Sequence, residues 1–278
     1  MEKEENEMLK GYFALITGAT SGMGLATAKE FIEQGATVIG IGRNFERTKD
    51  LGENFIPFKC DIRDEEQIIA AAKFAEEQFG KLDTLILNAA TGESANPSDI
   101  TSEGYTNGFK MYVLAPALFT KYCEKLLRRS DNPSILHTAS QGAYALDDIC
   151  IPYETLKAGQ VNYVRHAAQW YVNLHDQSIY NIPIGPRAPA EEGANPYIRV
   201  NVVCPGLIRT NLLPGEMWDA LDSDQLNWQI PSRRVGRAEE VGKLFAYLAS
   251  PKAKYISGSV ILIDGGWGTA HTSMTQFM

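Results

Sequence analysis

Thr17-Gly18-Ala19-Thr20-Ser21-Gly22-Met23-Gly24 stands between an apolar run, Tyr12-Phe13-Ala14-Leu15-Ile16, and a helix-forming stretch from Leu25 to Ile32. After a Gly35-Ala36 turn comes a second apolar run, Thr37-Val38-Ile39-Gly40-Ile41. The first and last of these read as buried strands and the middle as a helix, so the chain begins with a β-α-β unit. Such a unit commits a fold to parallel strands joined by right-handed crossovers. Its glycines fall at the first strand-to-helix turn. Glycine lets the backbone approach a pyrophosphate, and the helix start offers N–H groups and the positive end of its dipole. A glycine-rich turn can also serve only to pack helix on strand. The strand–turn–helix context favours the phosphate reading.

The alternation continues to the C-terminus. Strands are expected near 12–17, 37–42, 55–60, 83–88, 133–139, 198–204 and 259–263, and helices near 23–34, 45–51, 64–79, 101–129, 151–175 and 238–249. This pattern predicts an α/β fold: a doubly wound parallel sheet of about seven strands with helices on both faces. All strand C-termini then share one edge, where ligands bind in such sheets. Asp61-Ile62-Arg63-Asp64-Glu65-Glu66 puts acidic residues at the first turn of the third helix, as the helix dipole prefers.

Tyr153-Glu154-Thr155-Leu156-Lys157 sets a phenol and an ammonium four residues apart, with Ser140 thirteen residues before the phenol. Positions i and i+4 share a helix face. Tyrosine titrates near ~10 in water, too high for proton transfer at neutral pH, and a fixed cation beside it favours its ionised form. Ser140 would hold a carbonyl oxygen while Tyr153 passes it a proton. Alone, this spacing also describes a surface tyrosine above a surface lysine. The glycine loop at the other end of the chain is what gives it weight.

Together, these motifs resemble the classical short-chain dehydrogenase/reductase family, from about Gly11 to Gly266. The resemblance implies a Rossmann-type fold and assigns Ser140, Tyr153 and Lys157 as the catalytic residues. It implies a cofactor loop of Gly18, Thr20, Ser21, Gly22, Met23 and Gly24, and an adenine-side Asp61 with Ile62. Asn88-Ala89-Ala90 looks like the family's N-A-G with alanine for its glycine. Pro205, Gly206, Ile208 and Thr210 match the segment lining the nicotinamide, and Asp264-Gly265-Gly266 matches the C-terminal strand end. One position departs. Family members usually carry an asparagine in the helix after the fourth strand, whose backbone carbonyl holds a water linking the lysine to solvent. Tyr112 stands there. It is expected to alter this relay or project into the substrate pocket, or else to be a packing residue, and to bear on the helix distortion that exposes the carbonyl.

NAD-preferring relatives have an acidic residue at the end of the second strand, which holds the ribose 2′-hydroxyl and repels a 2′-phosphate. Here Gly42-Arg43-Asn44 follows that strand, and the Arg43 guanidinium suits a phosphate. NADP(H) is therefore expected over NAD(H). Residues 206–233 correspond to the family's substrate lid and carry Leu212, Leu213, Met217, Trp218, Leu226 and Trp228. With Tyr112, Gln141, Tyr144 and Leu146, they are expected to line a hydrophobic pocket. Residues 176–196 are too proline-rich for a helix or central strand and read as an insertion on the opposite side, at an oligomer contact or surface flap.

The reaction this implies interconverts a ketone and a secondary alcohol on a hydrophobic small molecule. Reduction of an activated double bond is a second reading, and a non-catalytic NADP(H)-binding scaffold or redox sensor a third. Residues 1–10 are expected as a flexible lead and 11–278 as one domain. The acidic start is unlike a signal or transit peptide, no apolar run is long enough to span a bilayer, and a net charge of -8 argues against a nucleic-acid partner. The four cysteines and four histidines show no metal-ligand spacing, and buried thiols suit a reducing, cytoplasmic setting. The resemblance implies a dimer or tetramer paired through the helices near 101–129 and 151–175.

Overall fold

The fold follows from how the apolar runs alternate along the strands. In the computed structural model, residues 7–90, 98–144, 150–172, 195, 197–211, 215–221 and 230–270 are described. β1 (Phe13–Thr17), β2 (Thr37–Gly42), β3 (Phe55–Lys59), β4 (Thr84–Leu87), β5 (Ser134–Thr138) and β6 (Arg199–Pro205) belong to one sheet. β7 (Ile208–Arg209) and β8 (Gly236–Arg237) form a separate two-residue pair, and β9 (Val260–Ile263) closes the main sheet. The seven strands lie in the order β3-β2-β1-β4-β5-β6-β9, all parallel. The order reverses between β1 and β4, so their C-terminal ends open a crevice.

Successive strand residues face opposite sides, and both sides are apolar, as a parallel sheet covered twice requires. On one side Ile16, Val38, Ile86 and Val203 pack against Phe31 of α1 (Gly22–Glu33) and Val241 and Phe245 of α7 (Ala238–Ala249). On the other, Leu15, Ile39, Leu85 and Val202 meet Ile68 of α2 (Glu65–Phe79), Phe119 of α4 (Ala115–Leu127) and Leu156 and Val164 of α5 (Ile151–Val172). Asp64 caps α2 by accepting from the Glu66 and Gln67 amides, the role its acidic start anticipates.

Two expected helices differ. The 45–51 segment forms only one 3₁₀ turn, Glu46–Thr48, because Asn44 Oδ1 takes the Glu46 amide at 2.9 Å and Gly52 (φ 73°) turns the chain into β3. The 101–129 helix is interrupted: α3 (Ser102–Phe109) passes through a π-turn, Lys110–Leu114, before α4. Pro116 accounts for the interruption. It has no N–H for the Tyr112 carbonyl four residues back, and its ring would clash with that carbonyl. The backbone widens instead, and the Ala115 amide bonds to the Lys110 carbonyl, five residues back. Among the described residues no helix is long and apolar enough to cross a membrane. Most of 176–196 lies outside the described residues. Asn195, near its end, is bonded to the Arg128 carbonyl at 2.7 Å and the Ser130 carbonyl at 3.1 Å, on the side away from the crevice.

Candidate functional site

A cleft of about 530 Å³ opens along the C-terminal ends of β1, β2, β3 and β4. Its wall includes Gly18, Thr20, Ser21, Gly22 and Met23 from the glycine loop, Asn88 and Ala89 after β4, and Thr210 after β7. Space decides the glycines. A Cβ at Gly18 would stand 2.8 Å from Ala89 Cα, and Gly18 also has φ 69°. Gly24 is not in the wall. A Cβ there would meet the Gly18 carbonyl oxygen at 2.2 Å, so Gly24 lets α1 pack close beneath the loop. Ser21 precedes α1 in extended backbone without capping it through its side chain, which leaves the first-turn N–H groups facing the cleft. Thr17 Oγ1 accepts from the Asn88 and Ala89 amides at 2.9 and 3.1 Å, and Thr138 Oγ1 donates to Asn88 Oδ1 at 3.1 Å. These bonds hold β1, β4 and β5 in register under the loop. Such a cradle, which any Cβ would fill, suits the pyrophosphate of a dinucleotide.

At the far end of the cleft, Gly42 leaves no room for a side chain: an added Cβ would stand 2.4 Å from Thr20 Cγ2. Beside it stand Arg43, Arg47 and Arg63. Arg63 grips Asp61 with Nε at 3.0 Å and Nη2 at 2.6 Å, and this pair holds the Asp61 carboxyl down at about 2. Among the described residues, no carboxylate lies within 4.0 Å of the Arg43 or Arg47 guanidinium. Arg47 and Arg63 are additions to the expected set.

Ser140, Tyr153 and Lys157 are brought together next to the cleft. Ser140, two residues past β5 and in extended backbone, precedes the turn Gln141–Ala143, and its Oγ accepts from the Gly142 amide at 3.1 Å, which fixes the hydroxyl over the turn. Burial raises the Tyr153 phenol above its ordinary value, and the neighbouring Ser140 side chain pulls it back down. The Lys157 ammonium lies 5.6 Å from the Tyr153 ring centre and donates to the Thr138 carbonyl at 2.7 Å and Gln160 Oε1 at 3.2 Å. Burial pushes Lys157 itself down to about 7. Buried Glu154 packs under this turn: a Cβ at Gly142 would stand 3.0 Å from its Oε1.

Of the alternatives for Tyr112, the packing place fits: it is 1% exposed, with its ring edge-to-face with Tyr153 at 5.5 Å and 4.7 Å from Lys157 Nζ. Trp218, in α6 (Gly215–Leu221), is buried and donates to the Thr210 carbonyl at 2.6 Å. It lines a separate recess of about 300 Å³ with Leu25 and Lys29. Pro205, Gly206 and Ile208 are packed behind the cleft, where a Cβ at Gly206 would stand 2.8 Å from Asp264 Cα. Tyr144 is exposed and Gln141 half-buried, with its Oε1 unpartnered among the described residues. Leu146, Leu212, Leu213, Leu226, Trp228 and the Met217 side chain lie outside the described residues.

A family model described as short chain dehydrogenase matches residues 12–176, and one described as Enoyl-(Acyl carrier protein) reductase matches 186–268. The chain is 31% identical to the mitochondrial borneol dehydrogenase of Lavandula x intermedia, over 97% of this chain and 95% of that protein. It is 28% identical to cis-4-hydroxycyclohexanecarboxylate dehydrogenase of Sinomonas cyclohexanicum, over 91% and 95%. Among solved structures it is similar to 3-ketoacyl-(acyl-carrier-protein) reductase from Brucella melitensis complexed with NADH: TM-score 0.78, 25% identity, covering 94% of this chain and 99% of that one.

Proposed function

This chain belongs to the short-chain dehydrogenase/reductase family, and we propose that within it the protein is an NADP(H)-dependent oxidoreductase interconverting a ketone and a secondary alcohol. The carrying observation is that the Ser140 side chain acts on the Tyr153 phenol, one helical turn from buried Lys157, beside a dinucleotide-shaped cleft. The cofactor, when bound, supplies or takes up the hydride. Gly18, Ser21, Gly22 and the start of α1 would hold its pyrophosphate, with Asn88 and Thr210 bounding the nicotinamide side. Ser140 polarises the substrate oxygen, and Tyr153 gives that oxygen a proton or takes one from it.

NADP(H) is supported by Gly42, which offers no acid, and by Arg43 and Arg47 at the same end. The substrate class draws support from two relatives named for borneol and 4-hydroxycyclohexanecarboxylate, both secondary alcohols on saturated rings. Reduction of an activated double bond draws support only from the name of the model matching 186–268. The resemblance carries the expectation of a dimer or tetramer, and the buried thiols that of a cytoplasmic setting; native mass measurement and localisation would check them. The test of the function is titration of tryptophan fluorescence with NADPH and with NADH, followed by NADPH oxidation in the presence of cyclic ketones or an enoyl thioester. Tighter NADPH binding and ketone-dependent oxidation are expected. Tighter NADH binding would overturn the cofactor assignment, and turnover of the enoyl thioester alone would overturn the substrate class.

A further inference from the structure

Lys157 carries its three N–H groups into a place almost closed to solvent, with 1% of its surface exposed. The groups facing it are Tyr112 from the π-turn, Tyr153 on α5, His137 on β5 and Cys204 on β6. The last three are not anions at neutral pH: burial raises the Tyr153 phenol, pushes the Cys204 thiol up to about 11 and pushes His137 down to about 3. The charge is therefore met by dipoles. Thr138 and Gln160 supply carbonyl oxygens at 2.7 and 3.2 Å, and the Tyr112 ring stands 4.7 Å away.

Both side chains are held for this task. Pro116 forces the π-turn that carries Tyr112 inward, and the ring is locked edge-to-face against Tyr153. Gln160 follows Lys157 by three residues on α5, so it shares its face, and it is 2% exposed. The Gln160 amide nitrogen lies 3.5 Å from His137 Nδ1. Because His137 is neutral, this nitrogen can accept from the Gln160 amide, and the amide oxygen is left for the lysine.

We propose that Tyr112 and Gln160 are positioning residues that act through Lys157: with the Thr138 carbonyl they take up its three N–H groups and oppose the loss of its proton where water is excluded. The consequence for turnover rests on the function proposed above. An aromatic face over a desolvated cation is attractive, and losing it is expected to lower the lysine midpoint by about one pH unit.

The test follows Lys157 directly, by NMR titration of lysine-labelled protein with the resonance assigned by its loss in Lys157→Met. Tyr112→Leu is expected to lower the midpoint by about one unit, while Tyr112→Phe leaves it in place because the ring is kept. Gln160→Leu carries the same test at an independent position and is expected to lower it as well. The proposal is overturned if the leucine and phenylalanine variants titrate alike, or if Gln160→Leu melts earlier with the midpoint unmoved. Absence of any ketone turnover in the wild type would sink the proposed function, and the midpoints would still decide the role of Tyr112 and Gln160.

Discussion

Placing an aspartate at residue 42 should convert the cofactor preference only when Thr20 is cut back at the same time. A Cβ at Gly42 meets Thr20 Cγ2 at 2.4 Å, where carbon atoms rest near ~3.5–4.0 Å. Gly42→Asp alone therefore drives Thr20 into the cleft, an overpacking of about 1–3 kcal/mol that weakens both cofactors alike. Thr20→Ala leaves only its Cβ, 3.3 Å from the new atom, a distance small shifts can relieve. In the double variant the new carboxylate would face a 2′-phosphate. At about 6 Å and an effective dielectric of about 20, a pair of unit charges repels by about 3 kcal/mol. It would also compete for Arg43, whose charged hydrogen bonds to phosphate are worth about 1.5–3 kcal/mol. NADPH affinity should fall about 100-fold or more in the double variant, with NADH affinity within about threefold of the wild type. Calorimetric titration at fixed, low salt measures both. The reasoning fails if the single variant switches preference as cleanly as the double, or if the double binds both cofactors as the wild type does.

Acid stability offers an independent check. His137 is fully buried and held neutral, its value pushed down to about 3, whereas an unfolded histidine titrates near ~6.5. Between these values the unfolded chain binds the extra proton, so the native state loses about 1.4 kcal/mol per pH unit as pH falls through that window. Urea denaturation of His137→Leu at about pH 7 and about pH 4.5 should show a shallower loss than the wild type; equal slopes would refute the assignment. Arg199, 1% exposed, donates to the carbonyls of Leu248, Ala249 and Ala253 and so holds the end of α7 against β6. Arg199→Leu should cost about 3 kcal/mol through those orphaned acceptors, with a loss below about 1 kcal/mol in denaturant titration counting against that role.

The sheet and the glycine cradle were legible because their signals are local: apolar runs of strand length, a glycine turn and helix caps within a few residues of one another. Ser140, Tyr153 and Lys157 came together as a set through the family resemblance, but the direction of the lysine could not be read from it. It depends on Thr138, which β5 carries, and on Gln160, whose partner His137 lies 23 residues away. The sequence left Tyr112 open between the pocket and a packing place, because its position follows from Pro116 and from packing against α5, not from helical periodicity. That same proline preserves the backbone distortion which the tyrosine seemed to put at risk. The paired strands β7 and β8 are two residues each, too short for any alternation to register. Arg63 could not be separated from ordinary surface charge until the fold set it beside Asp61 and the cleft.

The most direct test of the account compares wild type and Tyr153→Phe by stopped flow, following NADPH fluorescence on binding and its absorbance on mixing with a cyclic ketone. The account predicts that the variant binds NADPH as the wild type does while its oxidation rate falls at least about 100-fold, since the phenol supplies the general acid. Turnover close to the wild-type rate in Tyr153→Phe would contradict the central claim.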